Sequence, residues 1–323
     1  IEYIIEELIK KGIHIRRKLA LKGKTPRSHI HHLGKFLKAL RLSLNNQAYT
    51  IIARKDEIEL NCFDPRVLTI KALRDFPSII SISGTIENES YSKIIGLEKS
   101  RFIEVSFKPK PDQILTIVTS NVTSDFEKRS IFMYRRMLEY IVVTSEIVRS
   151  GIGIFAASYE VLRGLVNAGI TEIKRPIFIE DESYNSKTIE RQLLLFKEKA
   201  RRGGALYLGV CGGKVAEGED FPEKEMDVVI LAGIPFPEPT LALKAKIKYY
   251  KKIFGKKAKL YSYIIPSIWK ASQAAGRTIR GPDDRGAIIY LDYRYLKYSK
   301  IIPSWLRPRK VINNPMELKE ELC

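Results

Sequence analysis

The stretch GIGIFAASYEVLRGLVNAG, Gly151 to Gly169, decides the fold. An apolar run, GIGIFAAS, leads without a linker into a helical pattern over about Tyr159 to Ala168. A strand that is apolar at nearly every position is buried on both faces, and a helix directly after it starts a parallel crossover. Outward from this stretch the pattern repeats. Before it stand ILTIVTS and a helix about Lys128 to Arg149; after it stand PIFIE, a helix about Ser186 to Arg201, ALYLGVC and DVVILAG. A helix about Thr240 to Phe254, a second helix carrying QAAGRTIRG (Gln273 to Gly281), and AIIYLD complete the series. The expected class is α/β, a parallel sheet with helices on both faces, and ligands in such folds bind at the carboxyl ends of the strands.

Upstream the pattern differs. Residues 1 to 46 are basic and helical in period, and two strand-like runs, AYTIIAR and EIELNCF, follow. A short helix from Pro65 and an apolar run, SIISI, then end at Ser83-Gly84-Thr85 as a strand-to-loop turn. With 323 residues and 45% hydrophobic content, the chain is long enough for two modest domains or one large one. The formal charge is +19, and between Leu241 and Lys310 there are 18 Lys and Arg against 3 Asp. That stretch fits a surface meeting phosphate, and it also fits a solvated basic face. Three dispersed cysteines, Cys62, Cys211 and Cys323, support neither a disulfide framework nor a thiolate metal site. No apolar run is long enough for a membrane span and no signal peptide opens the chain, so the expectation is a cytoplasmic protein without membrane contact. The first residue is Ile, not Met, and the first residues of the gene product are expected to be missing.

Two segments invite over-reading. Gly213-Lys214-Val215 lacks the Ser or Thr of a phosphate-binding P-loop, and Leu208 stands where its first Gly is needed; Gly23-Lys24-Thr25 has Lys18 at that place and no strand before it. His29 to His32, HIHH, has no acidic or thiol partner nearby, so the reading is solvated side chains and no metal site. GGKVAEGEDFPE, Gly212 to Glu223, is more specific. Its paired glycines admit close approach of a phosphate or sugar, and Glu217 and Asp220 offer carboxylates. The helix LALKAKIKYYKKIF sets Leu243, Ile247, Tyr250 and Phe254 on one face and Lys244, Lys248, Lys251 and Lys252 on another. In QAAGRTIRG two arginines stand one helical turn apart despite their repulsion, which suits a polyanion between them.

The order SGT, AASY, GGKVAEGEDF, GIPFPEP, QAAGRTIRG, LDYRY resembles the second half of XPD-type helicases, superfamily 2 DNA helicases with an iron-sulfur cluster, archaeal members most of all. QAAGRTIR is similar to their motif VI, GGKVAEGEDF to motif V and SGT to motif III, over about Asn61 to Trp305. Ala216 departs from the family's usual Ser, and Glu219 from its apolar residue. The resemblance implies a RecA-like domain 2 over 111–310, a closing part of helicase domain 1 over 47–110, the end of an Arch-like insertion over 1–46, and a C-terminal tail over 311–323. It implies arginine fingers at Arg277 and Arg280, with Gln273 contacting the nucleotide or bracing neighbouring motifs. Gly276, Asp220, Gly218 and Glu217 would lie near the nucleotide, and Ser83, Gly84 and Thr85 would couple hydrolysis to DNA. Ser158 and Tyr159 would lie along the DNA path. Lys214, Lys244, Lys248 and Trp269 complete the candidate DNA-binding set. ATP and Mg²⁺ would serve the intact enzyme, acting on single-stranded DNA in repair or related unwinding with 5′ to 3′ polarity. The Walker motifs and the 4Fe-4S cysteines would belong to a missing N-terminal half, without which this chain is expected to hydrolyse no ATP. The alternatives are a motor-less single-stranded nucleic-acid-binding module or split-gene partner subunit, and a DinG-like helicase or nuclease.

Overall fold

The fold is that of a computed structural model, which describes all residues except 74, 87, 98–99, 104, 106–109, 111–112, 220, 222–224 and 280–283, together with the side chains of 88, 89 and 217. Along the chain run α1 (Glu2–Leu21), α2 (His29–Ser43), β1 (Tyr49–Ala53), β2 (Ile58–Cys62), α3 (Arg66–Leu73), α4 (Asn88–Ile95) and β3 (Ile114–Thr119). Next come α5 (Ile131–Ile147), β4 (Gly151–Ala156), α6 (Tyr159–Asn167), β5 (Ile177–Ile179), α7 (Ser186–Gly203), β6 (Ala205–Val210), α8 (Lys214–Gly218) and β7 (Val228–Ala232). The last elements are α9 (Leu241–Phe254), α10 (Ile265–Ala275), β8 (Gly286–Tyr290), α11 (Arg294–Lys297), β9 (Lys310–Ile312) and α12 (Pro315–Leu322). The chain divides into two compact units, one of Ile1–Ile79, Ser92–Glu98 and Glu238–Lys259, the other of Ile80–Tyr91, Lys99–Pro237 and Leu260–Cys323.

In the first unit α1 and α2 pack as a hairpin, and β1 pairs antiparallel with β2 from Tyr49 opposite Cys62 to Ala53 opposite Ile58. His31 corrects the reading of HIHH as solvated: His29 and His32 are exposed, but His31 is buried against Gly12. A side chain at Gly12 would put its Cβ 2.5 Å from the His31 Cα, so the absent Cβ is what admits the second helix. Within the same unit Asp64 is buried and accepts from the Arg66 Nε at 2.8 Å, the Arg66 Nη2 at 2.7 Å and the Tyr249 hydroxyl at 2.7 Å. These bonds anchor α9, whose Tyr250 is buried while Lys244, Lys248, Lys251 and Lys252 stay exposed, as its two-faced pattern requires. The apolar run SIISI forms no strand, which corrects the expectation of one. Ile80 and Ile82 are 86% and 92% exposed, and a strand without a neighbour to accept its ladder hydrogen bonds gains nothing from extension.

The second unit is built on one sheet of seven parallel strands in the order β5-β6-β4-β7-β8-β3-β9. Alternate residues of each central strand enter opposite layers. Tyr207, Val229, Leu231, Ile288 and Tyr290 pack with the α7 and α10 side, while Leu206, Leu208, Ile230 and Ile289 pack with the α5, α6 and α12 side. Helix α7 shows why its sequence folds so: Ile189, Leu193, Phe196 and Ala200 recur at helical spacing and are all buried on the first of these layers. The segment expected as a terminal tail contributes β9, which extends the sheet beside β3, and α12, which packs on α5. Since every strand of this sheet points the same way, the loops after β3, β4, β5, β6, β7 and β8 emerge at one edge.

Candidate functional site

The loop after β6 begins with Gly212 at φ +83°, a left-handed conformation that glycine adopts without penalty, and then enters α8 at Lys214. Val215 and Ala216 are fully buried and Phe221 nearly so, its ring set edge-on to Phe196 at 6.1 Å. This half-buried loop is held from outside by Arg277. The Arg277 Nε donates to the Ala216 carbonyl at 3.0 Å and its Nη1 donates to the Glu219 carbonyl. The two stretches singled out by sequence, GGKVAEGEDF and QAAGRTIRG, are thus joined by hydrogen bonds across 61 and 58 residues of sequence. The two positions that depart from the family's usual residues are accommodated: Ala216 meets Arg277 through its backbone, and the Glu219 carboxylate lies 3.8 Å from the Lys197 ammonium.

Gly276 caps the end of α10 next to Arg277, and Gln273, one turn earlier, is exposed. Gly218 closes α8 in open space. Arg280 and Asp220 lie outside the described residues, as does the side chain of Glu217. Ser83, Gly84 and Thr85 form an irregular segment, exposed at the first two, in which the Thr85 N–H donates to the Ser83 hydroxyl at 3.3 Å.

Ser158 caps α6, its hydroxyl accepting from the Val161 N–H at 3.4 Å, and this fixes Tyr159 at the helix start. Tyr159 is half-buried and donates its hydroxyl hydrogen to the Glu180 Oε1 at 3.1 Å. Burial, followed by the Glu180 charge, pushes the Tyr159 hydroxyl up to about 12, so it stays a donor at neutral pH. Lys214 donates to the Ser186 hydroxyl at 2.6 Å, bringing the start of α8 to the start of α7. Trp269 on α10 is half-buried with its indole N–H shielded, so it offers only part of a flat face. Lys244 and Lys248 belong to α9 in the first unit. Sequence reasoning missed Glu180 and the pair Asp292 and Arg294 as organisers of this edge. The quoted runs PIFIE and LDYRY contained them; a carboxylate ending an otherwise apolar strand was the available signal.

The comparisons with known proteins agree with the fold. Residues 141–309 match the Helicase C-terminal domain family. The chain is 28% identical over 283 residues to a Regulator of telomere elongation helicase 1 homolog of Oryza sativa subsp. japonica, covering 76% of this chain and 28% of that protein. It is 25% identical over 293 residues to the general transcription and DNA repair factor IIH helicase subunit XPD/RAD3 of Saccharomyces cerevisiae, covering 83% of this chain and 38% of that one. The chain therefore spans about a third of the curated relatives it matches. A solved XPD helicase superposes with a TM-score of 0.69 at 21% identity, over 95% of this chain and 55% of that one, which identifies the sheet as RecA-like. With the matched span running from within α5 to the residue before β9 and taking in β4 to β8 of the RecA-like sheet, more than half of the chain, this chain belongs to the Helicase C-terminal domain family.

Proposed function

We propose that the chain is the C-terminal motor part of an ATP-dependent DNA helicase of the XPD type. The observation that carries this reading is the bonding of Arg277 to the carbonyls of Ala216 and Glu219, which joins the segment that opens with Gly212-Gly213 to the turn after α10 on one side of the parallel sheet. In this reading Arg277 and Arg280 stabilise charge developing on the transferring phosphoryl group, with Gln273, Gly276, Glu217, Gly218 and Asp220 near the nucleotide. ATP and Mg²⁺ are held by Walker motifs in a further N-terminal half, which also carries the 4Fe-4S cluster, and this chain alone does not turn ATP over. The resemblance divides the chain into 1–46, 47–110 and 111–310, with 311–323 continuing the last of these through β9 and α12. Ser83 to Thr85 couple hydrolysis to strand movement, and the enzyme translocates 5′ to 3′ in repair or related unwinding.

Single-stranded DNA is the partner, met by Ser158, Tyr159, Lys214 and Trp269 and by the exposed lysines of α9, Lys244 and Lys248. Fluorescence anisotropy with a labelled oligonucleotide across a salt series tests this. Binding at about 10⁻⁴ to 10⁻⁶ M, without sequence preference and weakening steeply with salt, is the expected result. Changing both Lys244 and Lys248 to Glu flattens the salt slope. A flat salt response, or affinity indifferent to that change and to Tyr159→Ala, would assign the basic helix to solvent and the strand to another path.

A further inference from the structure

Three loops at the carboxyl edge of the sheet converge on one side chain. Glu180 follows β5, is only 4% exposed, and donates its own N–H to the Leu208 carbonyl at 2.8 Å, which fixes its backbone to the neighbouring strand. Its Oε1 accepts from the hydroxyl of Tyr159, the first residue of α6, and its Oε2 accepts from the N–H of Val210, the last residue of β6, at 3.4 Å. The same carboxylate fills the space that side chains would need at Gly209 and Gly213, where an added Cβ would stand 2.7 and 2.8 Å from its oxygens. Burial raises the Glu180 carboxyl above its ordinary value, while the Tyr159 hydroxyl, the Val210 N–H and the Lys214 charge pull it back down. A buried acid is costly to keep where an apolar residue would fill the same volume, and its cost here is offset only by the two loops it joins.

We infer that Glu180 is a positioning residue that locks the start of α6 at Tyr159 to the end of β6 and its Gly212-Gly213 turn, so that the two segments move as one body. The functional half of this inference rests on the reading above. If Tyr159 meets the nucleic-acid strand and the loop after β6 meets the nucleotide, Glu180 is the mechanical link between strand and nucleotide within this domain. The link needs no contact with either ligand.

The test is amide hydrogen exchange on the whole chain, comparing wild type with Tyr159→Phe, Glu180→Gln and the double variant, alongside single-strand affinity for each. Tyr159→Phe keeps the ring and deletes one hydroxyl at the start of α6. Faster exchange at Val210, the end of β6, and at Gly213, in the loop after it, then has to travel through Glu180. Each single variant should accelerate exchange at these two amides by about tenfold, with the sheet interior unchanged, and Tyr159→Phe should add less than about twofold in the Glu180→Gln background. Unchanged exchange at Val210 and Gly213 in Tyr159→Phe, or full independent accelerations in the double variant, would overturn the link. Single-strand affinity should fall about fivefold in Tyr159→Phe although the stacking ring remains. Accelerated exchange with unchanged affinity would reduce Glu180 to a packing role and overturn the functional half. A wild-type chain that binds no single strand would sink the helicase reading instead, while the exchange data would still judge the link.

Discussion

Asp292, fully buried at the end of β8, accepts six hydrogen bonds: from the Thr123 hydroxyl, the Ser124 N–H and hydroxyl, and the Arg294 N–H, Nε and Nη2. Arg294 also lies 3.1 Å from Asp125, and its guanidinium is held above its ordinary value by the Asp292 bonds and charge against the opposing effect of burial. A carboxylate this well solvated by protein fixes the loop after β3 to the loop after β8. Asp292→Asn keeps the shape but removes the charge and puts an N–H₂ where donors converge, leaving a sheltered guanidinium short of its counter-charge. The expected loss is about 3 kcal/mol in urea unfolding, and a loss under about 1 kcal/mol would mean that solvent compensates the arginine. The same physics explains what sequence could not reveal at this scale. LDYRY and PIFIE were visible as strings, but burial of Asp292, Glu180 and His31 depends on partners more than ten residues away, such as Ser124, Tyr159 and Gly12. Arg277 was legible from an unusual pair of arginines three residues apart, but the expected helical turn between them is corrected by the structure, in which α10 ends at Ala275 and Arg277 lies in the turn beyond it.

At the scale of elements, strands buried on both faces announced themselves: ILTIVTS, GIGIFAAS, ALYLGVC, DVVILAG and AIIYLD all became strands of one parallel sheet. SIISI carries the same composition and is no strand, because strand formation is settled by a pairing neighbour and not by the run itself. Only three residues of β9 pair with β3, too few to give a periodic signal, and α12 was hidden in what read as a tail. Helix α9 was legible in its two faces, but its tie to the segment after β2 was not. That tie is the Asp64, Arg66 and Tyr249 cluster, and it carries a pH signature. Burial would raise the Asp64 carboxyl, but hydrogen bonds from Arg66 and Tyr249 and the Arg66 charge outweigh it and set it below its ordinary value of 3.8. A group lowered on folding adds stability that is present above its unfolded value and is lost as pH falls through its folded value. Exchange at the β1–β2 amides should therefore accelerate as pH drops below about 3.8, after correction for intrinsic chemistry, and Asp64→Asn should remove that acceleration. An identical acid profile in the variant would move the titration to another carboxylate.

On the scale of the whole molecule, the parallel sheet gathers six loops at its carboxyl edge, where Gly212-Gly213 and the start of α6 lie. Arg277 braces the far end of α8 from the turn that leads to the amino end of β8. The central claim is that Arg277 and Arg280 supply charge stabilisation to phosphoryl transfer while strand contacts are dispersed over many side chains. Those two tasks separate in kinetics, because a finger acts on charge that develops in the transition state and a phosphate contact acts on the bound strand. The most direct measurement is steady-state ATPase turnover, with single-stranded DNA affinity measured in parallel, in the full enzyme that the proposed function implies. Arg280→Ala and Arg277→Ala should each lower turnover by about 10²- to 10³-fold while strand affinity stays within about threefold of wild type. A loss of strand affinity in proportion to the loss of turnover would place these arginines on the DNA path and contradict their assignment to the nucleotide.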